Sequence, residues 1–175
     1  MAEEALAQAP SLLEASDFDR LLQAAAHSPF PCRDRAILHL FWELAPGVHE
    51  LLRLRPGDVD SVNGRLTRPD GRACALRRET ARLLSAYASM ERDPRCPRLF
   101  AGRHGRPLGP ADLDRLFRTL GRQTGIPVDP VRLRRSALAH LLRSDPLAAV
   151  SAWRRSGGAP AQEPAAARCR AANWT

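Results

Sequence analysis

Lysine is absent from this sequence of 175 residues, so all 27 basic residues are arginine. No apolar run approaches the ~20 residues that a membrane-spanning helix needs, which excludes such a helix. The first ten residues, MAEEALAQAP, are acidic and lack the basic start of a secretory signal. Cysteine is scarce, and the four cysteines have neither Cys-x-x-Cys spacing nor a histidine at ligand spacing. The sequence therefore disfavours zinc and disulfide frameworks, predicts no metal or cofactor, and fits a reduced cytoplasm.

The composition is that of a globular protein, with 44% hydrophobic and 26% charged residues. The length suits one domain with short tails. The charge is uneven: the formal net charge is +8, yet residues 1–31 carry five acids and one arginine. The stretch 115–155 carries nine arginines against two aspartates. A basic region of this kind indicates a polyanion partner, although a codon bias towards arginine is the alternative explanation for part of it.

Hydrophobic periodicity predicts helices from about Ser16, from Arg33, from Val48, over 77–90, over 110–124 and over 131–143, with a shorter one over 146–154. Between them, Val59–Leu76 is punctuated by Asn63-Gly64 and by Pro69-Asp70-Gly71, which predicts a small antiparallel sheet. The predicted fold class is mainly α with a small antiparallel β-sheet (α+β). We expect a flexible acidic leader over 1–15, a domain over 16–155, and a disordered Ala/Pro/Gly-rich tail over 156–175.

Four segments carry a resemblance in their order and spacing: RDRAILHLFWELAPGVHELLRLRPGDVD (33–60), the strand-to-helix passage 72–87, PRLFAGRHGRPLGPADLDRLFRTLGRQTGI (97–126) and VRLRRSALAHLLR (131–143). Together they resemble the catalytic domain of the tyrosine recombinases, the phage-integrase family, over about 16–155. In that family a tyrosine attacks a DNA phosphate and forms a 3′-phosphotyrosine link. Two arginines and a histidine-type donor stabilise the developing charge, and a lysine on the sheet protonates the leaving 5′-oxygen.

The sequence departs from the family pattern at most of these positions. Gly47, Val131 and Ser156 stand where the resemblance places the first arginine and two histidines. Arg134 matches the second arginine, and Arg135 stands where a further histidine is usual. The sheet lysine cannot exist in a chain without lysine, and the nucleophilic tyrosine should follow Ser156, in a stretch that contains none. We therefore expect the fold to be retained and strand cleavage to be lost.

The only tyrosine, Tyr87, continues an apolar helical face formed by Leu83 and Leu84. This spacing predicts a core residue and not a nucleophile.

The resemblance and the charge together predict a DNA-binding protein that acts as an accessory or regulator in recombination, integration or DNA maintenance. The candidate DNA contacts are Arg134, Arg132, Arg135, Arg72, Arg68, Arg103 and Arg115. The alternative for Arg134 is that it is a solvated arginine in an arginine-rich helix. The alternative for Arg103 is that it lies in a surface loop without a binding role. We expect double-stranded DNA as partner, no membrane, and a cytoplasmic location, at the nucleoid if the source is bacterial.

Two alternatives stay open at this point. One is a protein-interaction module that binds itself or an active recombinase without touching DNA, and the other is a decaying gene product. DNA binding favours Arg134, Arg132, Arg115 and Arg72 on one concave face, whereas an interaction module favours an exposed apolar patch there.

Overall fold

Helices dominate the fold, and one small sheet lies between the third and fourth of them. The computed structural model describes residues 12–144. The helices are α1 (Ala15–Ala25), α2 (Pro31–Leu44), α3 (Val48–Arg53), α4 (Arg78–Met90), α5 (Pro110–Thr124) and α6 (Pro130–Ser144). The strands are β1 (Val59–Asp60), β2 (Arg65–Thr67) and β3 (Ala73–Ala75). The predicted fold class is confirmed.

Helix α2 forms the centre of the domain. All six residues from Ala36 to Phe41 are buried, so this helix is enclosed on every side. A helix that is mostly apolar around its circumference must be covered by neighbours, and α4 and α6 pack against it. Pro31 begins the helix, a position where its missing N–H is not needed. The helix ends at Leu44, and the next residue, Ala45, is fully buried and has a left-handed φ of 44°.

The sheet is antiparallel, with strand order β1-β2-β3. Both predicted turns are present: Gly64 has a φ of 61° and Gly71 a φ of 83°, values that glycine adopts without a steric penalty. Leu66, in the middle of β2, pairs with Val59 and Cys74 and points into the core. One buried leucine thus fixes which face of this small sheet meets the helices.

Helices α4 and α5 are amphipathic and bury the predicted stripes. On α4 these are Thr80, Leu83, Leu84 and Tyr87. Helix α5 has the predicted bounds, because Pro110 occupies its first turn and Gly125 follows its last residue with a left-handed φ of 71°.

The amino-terminal boundary differs from the prediction. Helix α1 begins at Ala15, with Glu14 as N-cap and Asp17 completing a capping box, so Ser16 is not the cap. Leu13, assigned to the leader, is 1% exposed, and its N–H donates to Ser136 Oγ at 2.8 Å. A leucine that can enter the core anchors the chain before the helix starts. The leader over 1–11, the predicted helix over 146–154 and the tail from 156 lie outside the described residues.

Within residues 12–144, no helix is long and apolar enough to cross a membrane. Over the same range, no group of three or more His, Cys, Asp or Glu side chains is arranged to hold a metal ion.

Candidate nucleic-acid interface

Arg134 lies in the second turn of α6 and points towards the end of α2. Its Nε donates to the carbonyl oxygen of Ala45 at 3.0 Å. Within residues 12–144 its two Nη atoms have no hydrogen-bond partner. Partial burial lowers the pKa of the Arg134 guanidinium, whereas the nearby Glu50 carboxylate favours its charged form. An arginine remains protonated under such conditions, so this position holds a positively charged fork whose base is fixed and whose tip is available.

Arg68 requires a correction, because the sequence placed it among the DNA contacts. Its side chain is 2% exposed and donates to Glu50 Oε1 at 2.6 Å and to the carbonyl oxygen of Leu44 at 2.9 Å. Its Nε also donates to Cys74 Sγ at 3.2 Å. A guanidinium enclosed in this way cannot reach a DNA phosphate. Arg68 instead connects the β2–β3 turn to α2 and α3.

Gly47 is the N-cap of α3 and lies beside the Arg68–Glu50 pair. Its N–H donates to Glu50 Oε2 at 3.2 Å, so one carboxylate binds both the helix start and Arg68. The backbone at Gly47 is extended, with a φ of −70°, and a Cβ there would meet nothing within 4 Å. Neither strain nor crowding therefore requires glycine here, at the position that the resemblance predicts for a first arginine.

Glu50 was not predicted as a site residue. Its position three residues after the N-cap Gly47 is the spacing of a capping-box carboxylate, and that signal could have identified it.

The other candidate arginines on α6 and the sheet are neither anchored like Arg134 nor enclosed like Arg68. Arg132 N–H donates to Asp129 Oδ1 at 2.7 Å, and its Nη1 donates to the carbonyl oxygen of Pro127. Arg132 and Arg134 are two positions apart on a helix, so their side chains leave it in nearly opposite directions. Arg135 is exposed, and Arg72 is exposed with its Nε 4.0 Å from Asp70.

Arg103 and Arg115 line a cleft of about 450 Å³ that also includes Arg33 and Asp34, from the first turn of α2. Arg134 contacts Ala45, directly after the last residue of the same helix. The structure therefore places Arg115 and Arg134 at opposite ends of α2. It does not bring the seven candidate arginines together into one group.

Tyr87 is a core residue, as predicted. It is 1% exposed, and its ring stacks on that of Phe100. Its hydroxyl oxygen accepts the N–H of Ala101 at 2.8 Å. Burial raises the pKa of the Tyr87 hydroxyl, which makes the phenolate harder to form. This hydroxyl is neither exposed nor activated for attack on DNA.

Five large apolar side chains are exposed in the described range. They are Leu12, Val62, Met90, Val131 and Leu142. Only Val131, which is 65% exposed and occupies the place of a family histidine, lies within three residues of Arg134 in the chain.

A buried central helix, the helices packed against it and a three-stranded antiparallel sheet form the catalytic-domain fold of the tyrosine recombinases. The model of the phage integrase family matches residues 11–153, and the chain belongs to that family. The sequence is 29% identical over 151 residues to tyrosine recombinase XerC of Xylella fastidiosa (strain 9a5c), a match that covers 82% of this chain and 51% of that protein. The chain thus spans about half the length of this curated relative.

Solved structures show the same fold. The crystal structure of XerA recombinase superimposes with a TM-score of 0.68 at 25% identity, over 79% of this chain and 51% of that one. XerH recombinase bound to its difH substrate superimposes with a TM-score of 0.65 at 18% identity, over 86% of this chain and 48% of that one. A lambda integrase dimer bound to a COC′ core site superimposes with a TM-score of 0.63 at 17% identity, over 86% of this chain and 58% of that one.

Proposed function

We propose that this domain binds duplex DNA as an accessory or regulator of recombination, without cleaving the strands. One observation carries the proposal: Arg134 is anchored through Nε to Ala45, while both Nη atoms lack a protein partner within residues 12–144. A guanidinium fixed at its base and open at its tip suits bidentate contact with a phosphate.

The family and the charge support the same partner. Among the structural relatives, lambda integrase was solved bound to DNA and XerH recombinase bound to its difH substrate. The chain has a formal net charge of +8, and two further candidate arginines are exposed: Arg135, which follows Arg134 on α6, and Arg72, in the turn between β2 and β3. Phosphate contacts from these residues would give an affinity dominated by counterion release, with modest sequence specificity.

The chain lacks most of the groups that strand cleavage requires in this family. Gly47 and Val131 offer no donor at two family positions, and the chain contains no lysine to protonate a leaving oxygen. Each missing electrostatic donor typically reduces turnover about a hundred- to a thousandfold. Tyr87, the one tyrosine in the sequence, is buried and its hydroxyl oxygen is hydrogen-bonded, so it does not replace the nucleophile. We also propose that the domain can associate with itself or with an active recombinase, and that it acts in the cytoplasm, where four isolated cysteines stay reduced.

Fluorescence anisotropy with a labelled duplex of ~30 base pairs, over a series of salt concentrations, tests the binding. We expect log affinity to fall linearly with log salt, and Arg134→Ala to weaken binding and reduce that slope by about 0.9. Arg143→Ala is the matched control, since Arg143 is an exposed arginine in the last turn of the same helix. Equal effects of the two variants would contradict a phosphate contact by Arg134. No binding at low salt would favour the protein-interaction module instead.

A nicked suicide substrate tests the absence of cleavage. We expect no covalent protein–DNA adduct after denaturing electrophoresis. A phosphotyrosyl adduct would overturn the proposed loss of activity, and Tyr87→Phe would show whether the described tyrosine had formed it.

A further inference from the structure

The cleft at the amino-terminal end of α2 has no part in the proposed contact at Arg134. It lies between residues 27–34, which lead into α2, the loop 102–108 and one side of α5. Its volume of about 450 Å³ is within the range of clefts that hold a ligand. We call it the Arg33 cleft, after the residue on its floor.

The Arg33 cleft is elongated, because it follows one side of α5. The α5 residues that line it recur every three or four positions and so form one stripe: Asp112, Arg115, Leu116, Thr119, Leu120 and Gln123. This stripe extends over roughly 16 Å of the helix. An extended chain of roughly five residues has the same length. The shape therefore suits a short peptide segment better than a compact small molecule.

The floor of the cleft is rigid and electrically balanced. Arg33 is largely buried, and its Nε donates to Asp34 Oδ1 at 2.7 Å. Its Nη1 donates to the carbonyl oxygen of Ala101 at 3.0 Å, and its guanidinium lies 4.2 Å from the centre of the Phe30 ring. The buried cation and the buried carboxylate neutralise each other, and Phe30 and Leu116 line the cleft beside them. The interior therefore suits an apolar side chain.

The rim of the cleft is positive. Asp112 accepts two hydrogen bonds from Arg106, at 2.6 and 2.7 Å, and its Oδ1 also lies 3.5 Å from Arg115 Nη1. Arg103 is exposed on the facing loop, and within residues 12–144 it has no ion-pair or hydrogen-bond partner. Three rim arginines thus stand against one rim carboxylate, and one of the three does not contact it. Such a rim attracts an anionic partner.

The loop that carries Arg103 is held in place before any ligand binds. His104 has a left-handed φ of 60°, and Gly105 follows with 72°. A Cβ at Gly105 would overlap the Asp93 carboxylate, so the loop packs directly on that group. The N–H of Gly102 donates to the carbonyl oxygen of Arg106 at 2.7 Å and closes the loop. A preformed rim lowers the ordering cost of binding.

Charge and shape together define the occupant. We propose that the Arg33 cleft binds a short acidic segment of another protein in an extended conformation. Acidic side chains of this segment contact Arg103 and Arg115, and an apolar side chain packs between Phe30 and Leu116. Gln123 lies two turns further along α5 than Arg115, and its exposed amide has no hydrogen-bond partner among residues 12–144. This amide can donate and accept, which suits the peptide backbone of the bound segment.

A DNA duplex fits the interior of this cleft less well. Its phosphates lie on a convex surface and would meet only the exposed rim. The walls inside the rim include Phe30, Leu108 and Leu116, which suit an apolar side chain and not a phosphate. Peptide binding in the Arg33 cleft goes beyond the proposed DNA contact and does not involve Arg134, so failure of one proposal does not decide the other.

A phage-displayed library of random short peptides, selected on the full chain, tests this proposal. We expect the enriched peptides to combine Asp or Glu with Leu, Phe or Trp. The most enriched peptide, synthesised with a fluorescein label, then gives a Kd by fluorescence anisotropy in the absence of DNA. Arg103→Gln with Arg115→Gln should weaken this binding by roughly twofold to thirtyfold, as expected for the loss of two exposed ion pairs. Thr119→Trp should weaken it by roughly tenfold, because Thr119 is exposed in the cleft and an indole ring would fill the space.

Two matched controls change α5 outside the cleft. Arg118→Gln with Arg122→Gln removes the same charge, and Ala111→Trp adds the same ring, each at an exposed position that does not line the cleft. We expect both to leave the Kd for the peptide within about twofold of the original value. Circular dichroism verifies that every variant is folded.

Several results would overturn the proposal. These are a selection without enrichment, enriched peptides that lack either acidic or apolar residues, and equal losses of affinity in the cleft and control variants. If the Arg103→Gln and Arg115→Gln variant lost affinity for a DNA duplex and kept it for the peptide, the rim would be a DNA surface instead. Sedimentation of the peptide-free chain covers the remaining occupant, because a dimer that only the cleft variants abolish would place a second copy in the cleft.

Discussion

Replacement of Arg68 by alanine should lower the unfolding free energy of the domain. It should not directly lower the affinity of the folded domain for DNA. Arg68 is buried between β2 and the end of α2, with donors to Glu50, to Leu44 and to Cys74. Its removal leaves the Glu50 carboxylate without its ion-pair partner and the Leu44 carbonyl without its donor. The side chain of Glu50 is 20% exposed, so water can hydrate it only partly.

The expected magnitude follows from that burial. Removal of one partner from a buried ion pair typically costs about 3–5 kcal/mol in unfolding free energy, and the partial exposure of Glu50 favours the lower end, about 3 kcal/mol. For a domain of this size, that corresponds to a fall in Tm of about 6–12 °C. The double variant Arg68→Met with Glu50→Gln should lose less than Arg68→Ala, because no charge is left unpaired.

Urea unfolding followed by circular dichroism measures these differences, with the m-value checked for two-state behaviour. Arg72→Ala is the control, since Arg72 is on the same hairpin with a side chain 65% exposed. We expect it to change the unfolding free energy by less than about 1 kcal/mol. If Arg68→Ala were no more destabilising than Arg72→Ala, and weakened DNA binding while fully folded, the structural role assigned to Arg68 would be refuted.

Three further predictions concern other parts of the fold. Tyr87→Phe should cost about 1–3 kcal/mol in thermal unfolding, since the buried N–H of Ala101 loses its acceptor, and an unchanged Tm would contradict this. Gly105→Ala should destabilise by about 1–2 kcal/mol in urea, because its φ is 72° and a methyl group would overlap a carboxylate; a neutral result would show that the loop relaxes. Burial lowers the pKa of His39, beside Glu79, so the unfolded state takes up the proton first. Stability should therefore fall as the pH drops below about 6.5, and His39→Gln should show a smaller fall; identical pH profiles would exclude His39 as the cause.

Most of the fold could be predicted from the sequence because its signals are local. Pro110 and Gly125 mark both ends of α5, and the two glycine turns define the sheet. The family pattern adds the order of the elements, which periodicity alone does not supply. The error at Leu13 has a simple physical reason. A leucine next to acidic residues looks like part of a polar leader until a partner at distant sequence, Ser136, provides its contact.

The candidate site was less predictable. Arg68 looked like a surface arginine because it is next to Pro69 in a turn. A signal for its burial was nevertheless present, since Arg68 is two residues after the buried Leu66 and so continues the same face of the hairpin. Arg134 could be found only through the family pattern, because its neighbours Arg132 and Arg135 are the same residue type. The positions of Arg115 and Arg134 at opposite ends of α2 depend on long-range packing, which local sequence does not encode.

Helix α2 contributes to two arginine-bearing surfaces. Its first turn lines the cleft that Arg103 and Arg115 also line, and Ala45, directly after its last residue, accepts the hydrogen bond from Arg134. A helix enclosed on every side opens only when the domain opens, so its amides should exchange with solvent through global unfolding. No partly open state would then keep one surface and lose the other. Both surfaces are therefore present in the same fraction of molecules, the folded fraction, and a change that unfolds the domain removes both together.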